Sequence, residues 1–381
     1  MIARLLLVLL LAADPLSANE IARIVYIGID GDPFYDPQPT YTGLSLNDRD
    51  RPVSGAEAAA RESRVLERVL GIEFSLDIVL AEPGGAATTA KDATDAGAVA
   101  LLLDLPTDEM EMVAPDTIAF NIRHAEDRWR ASDCRPGLLH TYPSHSMLAD
   151  TLAQHLKAKS WNRVLLLYGD TAEDAVESDA VRRAISKFGL KIAADRPFIL
   201  TNDPRRRDQS NVALLTGDAR HDVVWLVDNE GEFGRYVPYA TYAARPVVGS
   251  EGLSPVAWHW TYERHGAPQL NQRFRRKNDR DMSSLDWAAW VAVRAVVEAV
   301  QRVGNVRPED IRAFITSDDF SLDLYKGAPG SFRMWDGQLR QPVLLATHNA
   351  VIERAPLDGF EHQTDTLDTL GVDEPESTCS F

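Results

Sequence analysis

The sequence predicts an α/β fold built from two parallel-sheet units of similar size. Three observations predict it. Short apolar stretches such as 24–29 (IVYIGI), 98–103 (AVALLL) and 163–168 (RVLLLY) read as strands buried on both faces. Helical stretches alternate with them, which is the pattern of a parallel sheet covered on both sides. The pattern stops and then restarts near residue 146.

The elements follow in order. In the first unit, 24–29 is a strand and 55–70 a helix with Ser54 as its N-cap. Residues 72–80 alternate as a strand, and 98–103 and 117–121 are buried strands. In the second unit, 146–157 is helical and 163–168 a strand. An amphipathic helix over 172–188 is stopped by Gly189. Strands over 191–198, 223–227 (VVWLV) and 246–248 complete the unit. A third region starts after Gly252. Its long helix, 283–303, carries Leu285, Ala289, Val293, Val296 and Val300 at helical spacing. A shorter helix covers 308–315, and 331–353 reads as extended chain, a turn and two β segments. The polar, acidic C-terminal residues are expected along the surface.

Residues 1–18 (MIARLLLVLLLAADPLSA) read as a cleavable export signal. Arg4 is the basic segment, 5–13 the apolar run, and Ser17 and Ala18 the small residues of a cleavage site. The run is far shorter than the ~20 residues that span a bilayer. A retained anchor is the competing reading. About 360 residues remain, enough for two packed domains. The net charge of −17 argues against general nucleic-acid binding, which needs basic surface. It leaves room for a small anion in a local basic cleft.

The chemistry that would mark an enzyme is absent. No P-loop, no G-x-G-x-x-G after a strand, no G-x-S-x-G and no H-E-x-x-H occurs. Asp30, Asp32 and Asp36 hint at a calcium loop, but Tyr35 stands where a Gly is required. His140 and His145 lack the company of further ligands. No metal or required cofactor is expected. The two cysteines, Cys134 and Cys379, form either one disulfide or two free thiols, and export favours the bridge.

Several segments carry a resemblance. RPVSGAEAAARESRVLERVLGIEFSL, HTYPSHSMLADTLAQHLKAKSWNRVLLLYGD, RPVVGSEGL and GAPGSFRMWDGQLRQPVLLATHNAVIE resemble segments of type I periplasmic solute-binding proteins, the branched-chain amino acid-binding-protein-like kind. The resemblance implies two Rossmann-like lobes joined by three crossovers, near 140–144, 255–275 and 328–334. Lobe 1 would take 22–141 plus 262–332, and lobe 2 would take 142–261 plus 333–362. An acidic tail would cover 363–381. RFRRKNDRDMSSLDWAAWVAVRAV, FRMWDGQLRQPVLLA and LDTLGVDEPESTC further resemble a subgroup associated with alcohol dehydrogenase systems that depend on pyrroloquinoline quinone (PQQ). That subgroup includes a periplasmic PQQ-binding protein.

In such folds ligands sit outside the carboxyl ends of the strands, between the lobes. The rule selects Tyr35, Thr107, Asn121, Arg123 and Arg128 from lobe 1, and Asp170, Glu230 and Glu251 from lobe 2. Trp287, at the start of the long helix, is the further aromatic candidate. PQQ is a flat quinone with three carboxylates. It needs Arg forks and stacking faces, for which Arg123, Arg128, Tyr35 and Trp287 are the candidates. The competing readings are a solvated loop for the arginines and helix packing for Trp287. The basic run Arg273, Arg275, Arg276 and Lys277 reads as a solvated face.

The expected function is capture, not catalysis. A periplasmic, soluble substrate-binding protein of an ABC-type uptake system would hold a small anion, PQQ first, between closing lobes. Its partners would be transporter membrane subunits or a PQQ-dependent dehydrogenase. The alternative is a sensory or scaffolding partner of a periplasmic dehydrogenase with a degenerate cleft. Fractionation should recover the chain from the periplasm, shortened by about 18 residues. Full-length chain in the membrane pellet would defeat that expectation.

Overall fold

The structure is a computed structural model that describes residues 20–37, 43–44, 49–201 and 203–379. The export signal lies outside the described residues. Among these, no helix is long and apolar enough to cross a membrane.

The first sheet begins with β1 (Glu20–Ile29). After α1 (Val53–Leu70) come β2 (Ile72–Ala81), α2 (Ala86–Asp95), β3 (Ala98–Asp104), α3 (Thr107–Met112), β4 (Ile118–Asn121) and β5 (Leu138–His140). The strand order is β2-β1-β3-β4-β5, all parallel. Every residue of β3 is buried, as its unbroken apolar run requires. Helix α1 starts two residues earlier than expected. Pro52 holds the cap position, and Ser54 lies inside the first turn without capping it.

The chain then crosses to a second sheet. Helix α4 (His145–Ala158) is capped by Ser144, whose hydroxyl accepts from Met147 N. Next come β6 (Arg163–Tyr168), α5 (Ala172–Lys187), β7 (Lys191–Pro197), α6 (Val212–Gly217), β8 (Val223–Val227), α7 (Val237–Ala240) and β9 (Val247–Gly249). This sheet is also parallel, in the order β7-β6-β8-β9. Strand β10 (Ser254–Val256) leads back to the first lobe, where Ala257 and Trp258 join its core.

The return segment holds α8 (Ala267–Asn278), α9 (Ser284–Val303) and α10 (Pro308–Ile315). Helix α8 escaped the sequence reading because its exposed stretch is dominated by the basic run. Helix α9 is apolar nearly all round and lies in the middle of the lobe-1 core, where such a helix must be buried. It begins with a capping box between Ser283 and Asp286. Three short strands, β11 (Leu322–Asp323), β12 (Pro329–Phe332) and β13 (Leu339–Arg340), form a small antiparallel sheet. The hairpin β14 (Val343–Thr347) and β15 (Ala350–Ala355) closes the second lobe by pairing β14 with β10.

Two of the crossovers are laced together. Arg130, fully enclosed, donates to Gln338 Oε1 at 2.8 Å, to His124 O at 2.9 Å and to Tyr142 O at 2.8 Å. Gln338 Nε2 donates to His140 O at 3.1 Å, and Gln341 Nε2 to Thr141 O at 2.8 Å. Segments 141–144 and 333–342 therefore share one polar network. Lys326 joins it. Its ammonium donates to Gln341 Oε1 and Pro342 O, both at 2.9 Å, and lies 3.5 Å above the Trp287 ring. Burial holds its pKa well below the usual lysine range.

The C-terminal segment lies along the surface as expected, but it is pinned there by buried residues. Leu370 and Asp368 are buried, and Asp368 accepts from Arg333 at 2.8 Å and Arg340 at 2.9 Å. Its acidic composition hid the fact that its key carboxylate is paired with arginines. The cysteines are joined: Cys134 and Cys379 form a disulfide with Cα atoms 5.8 Å apart.

Helix α1 meets α9 at Gly55. A Cβ there would lie 2.0 Å from the backbone oxygen of Asp286. Gly55→Ala should therefore force the two helices apart and destabilise the chain by about 3 kcal/mol. Urea unfolding monitored by circular dichroism checks this, and an unchanged midpoint would refute the close approach.

Candidate functional site

Asp104, the last residue of β3, is fully buried at the carboxyl end of the first sheet. Tyr35 donates its hydroxyl to Asp104 Oδ1 at 2.6 Å, and Tyr26 donates to Oδ2. Arg51 and Arg123 each bring a guanidinium nitrogen to 3.8 Å. Burial still pushes the Asp104 pKa up, against the pull of Arg123 and the tyrosines. Burial, then the Asp104 charge, pushes both tyrosines far above the usual phenol range. They act here as donors only.

A 3-10 turn, Pro33–Tyr35, carries the aromatic faces. Asp32 caps it by accepting from Phe34 N at 3.0 Å, and also pairs with Arg123 at 2.5 Å. Arg123 lies over the Phe34 ring at 3.9 Å and Arg49 at 4.4 Å, while Arg51 lies over Tyr35 at 4.6 Å. Arg51 Nη1 is buried and has no hydrogen-bond partner. Burial and the neighbouring Arg123 lower the Arg49 pKa. Lobe 1 thus presents three guanidinium groups stacked on two aromatic rings.

The facing wall of lobe 2 has the opposite sign. Asp170 and Glu230 are exposed on the loops after β6 and β8, and Glu251 follows β9 half-buried. Asp228 accepts from Gly231 N at 2.9 Å and Gly234 N at 2.6 Å. Asn229 bonds through its backbone and side chain to Asp174 and reaches Glu177 at 3.1 Å. Burial, followed by neighbouring carboxylates, raises the pKa of Glu230 and Glu251. Between α4 and α5 lies a slot of about 190 Å³, with His145 and Glu177 among polar lining residues and Leu148, Leu152, Val181 and Trp225 among apolar ones. Tyr142, on the first crossover, feels both Glu177 and Arg49.

The sequence candidates divide. Tyr35 and Arg123 stand together beside Asp104. Asp170, Glu230 and Glu251 occupy strand-end loops of lobe 2. Asn121 is fully buried and structural: its Oδ1 accepts from Arg123 N and His124 N, and Nδ2 donates to His124 O. Thr107 spends its hydroxyl on Glu126 at 3.2 Å. Two candidates need correction. Arg128 is held by Glu126, Glu111 and Asp133 at 2.5–2.8 Å, so its charge is already neutralised. Trp287 is fully buried, stacked 6.1 Å from Trp258 and covered by Lys326, so it is a core residue. Helix packing won because both faces of α9 are enclosed.

Sequence reasoning missed Arg49, Arg51, Tyr142 and Glu177, and weighed His145 only as a metal ligand. The signal for the first two was R-D-R-P just before helix α1, in a loop that follows a buried strand. Asp32, weighed as a metal ligand, is instead the partner of Arg123. Among the described residues, no cluster of three or more His, Cys, Asp or Glu is arranged to hold a metal ion.

No protein-family profile matches the chain. No curated protein matches it either. Solved structures do. A branched chain amino acid ABC transporter periplasmic ligand-binding protein from Burkholderia xenovorans LB400 superposes with a TM-score of 0.67 at 14% identity, over 87% of this chain and 95% of that one. An ABC transporter substrate-binding protein from Desulfitobacterium hafniense in complex with Leu gives 0.65 at 15%, over 87% and 99%. A solute binding protein of an ABC transporter from Rhodopseudomonas palustris BisB5, in complex with 3,4-dihydroxy benzoic acid, gives 0.62 at 10%, over 88% and 97%. The fold is that of type I periplasmic binding proteins.

His124 supports the Arg123 loop and yields a test. Its ring contacts Leu105 O at 2.7 Å, and burial together with the Arg123 charge holds its pKa well below the usual histidine range. A depressed histidine contributes full stability above its unfolded pKa of about 6.5 and loses it as pH falls towards the folded value. Unfolding free energy should drop by at most ~3 kcal/mol from this residue between about pH 6.5 and 4. The component should vanish in His124→Gln. An identical pH slope in both proteins would rule it out.

Proposed function

We propose that this chain is a periplasmic substrate-binding protein of an ABC-type uptake system. It captures a small aromatic carboxylate between two lobes, with PQQ as the leading ligand. The observation that carries the reading is the lobe-1 wall, where Arg49, Arg51 and Arg123 lie over Phe34 and Tyr35. Carboxylates need guanidinium donors and a flat ring needs a stacking face. Both are offered within one small patch. The shared fold with ABC-transporter binding proteins supports capture by lobe closure. The structure containing 3,4-dihydroxy benzoic acid shows that this fold accommodates an aromatic acid in at least one protein. The sequence segments that resemble the PQQ-associated subgroup favour PQQ among aromatic acids.

No bond is made or broken in this reading. Ligand binding shifts an open–closed equilibrium by its differential affinity for the closed form. Membrane subunits of the transporter would then recognise that form. Arg51 Nη1 makes no hydrogen bond and lies 3.8 Å from Asp104 Oδ2, so its charge is only loosely paired.

A second reading is favoured by the lobe-2 wall. Asp170, Glu230 and Glu251 line up there with Asp228, and a trianion would meet their repulsion. On this reading the cleft has lost its solute, and the chain serves a periplasmic dehydrogenase as a sensory or scaffolding partner.

Calorimetric titration with PQQ, 3,4-dihydroxybenzoate and leucine separates the two. Saturable PQQ binding is expected. Arg49→Ala or Arg123→Ala should weaken it roughly tenfold to a hundredfold, the effect of losing one charge-assisted bond. Arg128→Ala should leave it unchanged. Binding of leucine alone would reassign the ligand, and binding of none would favour the scaffolding reading.

A further inference from the structure

The C-terminal segment is anchored to the second lobe. Leu357 N donates to Gln154 Oε1 on α4 at 3.0 Å, and Gln154 Nε2 donates to Thr369 Oγ1 at 3.1 Å. Gly371 N donates to Asp150, also on α4, at 2.8 Å. Lys187, at the end of α5, reaches Asp150 at 2.7 Å, Gly371 O at 2.8 Å and Thr369 O at 3.1 Å. Leu370 is buried with Met147 of α4 and Val343 of β14. The segment also grips the third crossover, where Arg333 and Arg340 converge on Asp368.

Cys134 belongs to the other lobe. It follows the 3-10 turn Asp127–Arg130 and precedes β5. Its neighbour Arg135 donates to Met110 O at 2.9 Å and Glu111 O at 2.7 Å, both on α3. The disulfide therefore joins a loop fixed to lobe 1 with a segment fixed to lobe 2. Between the last lobe-2 anchor, Gly371, and the bridge lies only 372–379. At roughly 3.5 Å per residue this stretch spans at most about 28 Å. An inter-lobe ion pair, Arg183 of α5 with Asp127 at 2.6 Å, lies on the same flank.

We infer that the Cys134–Cys379 bridge is a fourth inter-lobe connection, a strap that limits how far the lobes swing apart. The three crossovers leave the hinge free to bend. The strap adds a covalent tether beside the crossover strands and sets an outer limit on opening. It would bias the ligand-free protein towards geometries near closure, and so raise affinity without touching the ligand. The inference rests on the lobe-closure reading given above, not on the identity of the ligand.

The test compares the full mature protein with the Cys134→Ser/Cys379→Ser double variant. Small-angle scattering without ligand should give the variant a larger radius of gyration, the mark of a wider hinge angle. Hydrogen exchange should speed up at least ~tenfold over 372–379, while 363–371 stays protected by its lobe-2 contacts. With PQQ added, the two proteins should scatter alike, and the variant should release PQQ several-fold faster. If the variant fails to fold, dithiothreitol on the folded wild type serves instead. It takes the bridge to two thiols while closing its own ring disulfide, a balanced two-electron exchange. A variant that merely melts earlier, with the same ligand-free radius, overturns the strap. The scattering arm needs no ligand, so failure to bind PQQ would count against the proposed function and leave the strap standing.

Discussion

Asp104 ends a central strand with no exposure to solvent, where an uncompensated carboxylate would cost several kcal/mol. The lobe-1 wall is arranged around that requirement. Two tyrosine hydroxyls and two guanidinium groups converge on it from four separate parts of the chain. Tyr35 must sit at the end of a tight turn to reach it. Arg51 must precede α1, and Arg123 must follow β4. Once those groups are placed, Phe34 and Arg49 have little choice. The cationic, aromatic face is thus a by-product of solvating one buried charge.

The hinge follows similar logic. Arg130 is buried among backbone carbonyls and Gln338, with no carboxylate in direct contact. Its hydrogen bonds tie the first crossover to the third. Those two segments are therefore fastened together as one two-ply leaf. Lys326 extends the leaf through Gln341 and Pro342 and covers Trp287. Substitutions at Gln338 and Gln341 should couple rather than add, because they grip adjacent carbonyls of one segment, His140 and Tyr142 for the first and Thr141 for the second.

Much of the fold was legible because it rests on periodicity. The run 98–103 is apolar without a break, and β3 is buried at every position. Leu285, Ala289 and Val293 recur at helical spacing, and α9 spans them. What was not legible depends on partners distant in sequence. Trp287 and Trp290 look equivalent on the helix, and both are enclosed, the first by Trp258 and Lys326 and the second by Tyr325 and Glu62, all of which arrive from elsewhere. Arg128 and Arg123 look alike in NIRHAEDRWR. Only the fold shows that Glu111 and Asp133 saturate the first, while Asp32 holds the second against an aromatic ring. Charge reads as solvated surface in a sequence. Whether it is spent or available is decided by contacts that no local pattern encodes.

The lobe-1 wall has one more property: every residue that builds it belongs to one lobe. Asp32, Phe34, Tyr35, Arg49, Arg51, Asp104 and Arg123 take their geometry from the first sheet and the loops above it. Its assembly therefore needs no residue of the second lobe. If the chain captures a ligand as proposed, encounter and closure become separable events in time. The rate of capture would then be set by the preassembled wall, and residence time by the second lobe. Changes on the two walls would then leave distinct kinetic signatures even where they cost the same affinity.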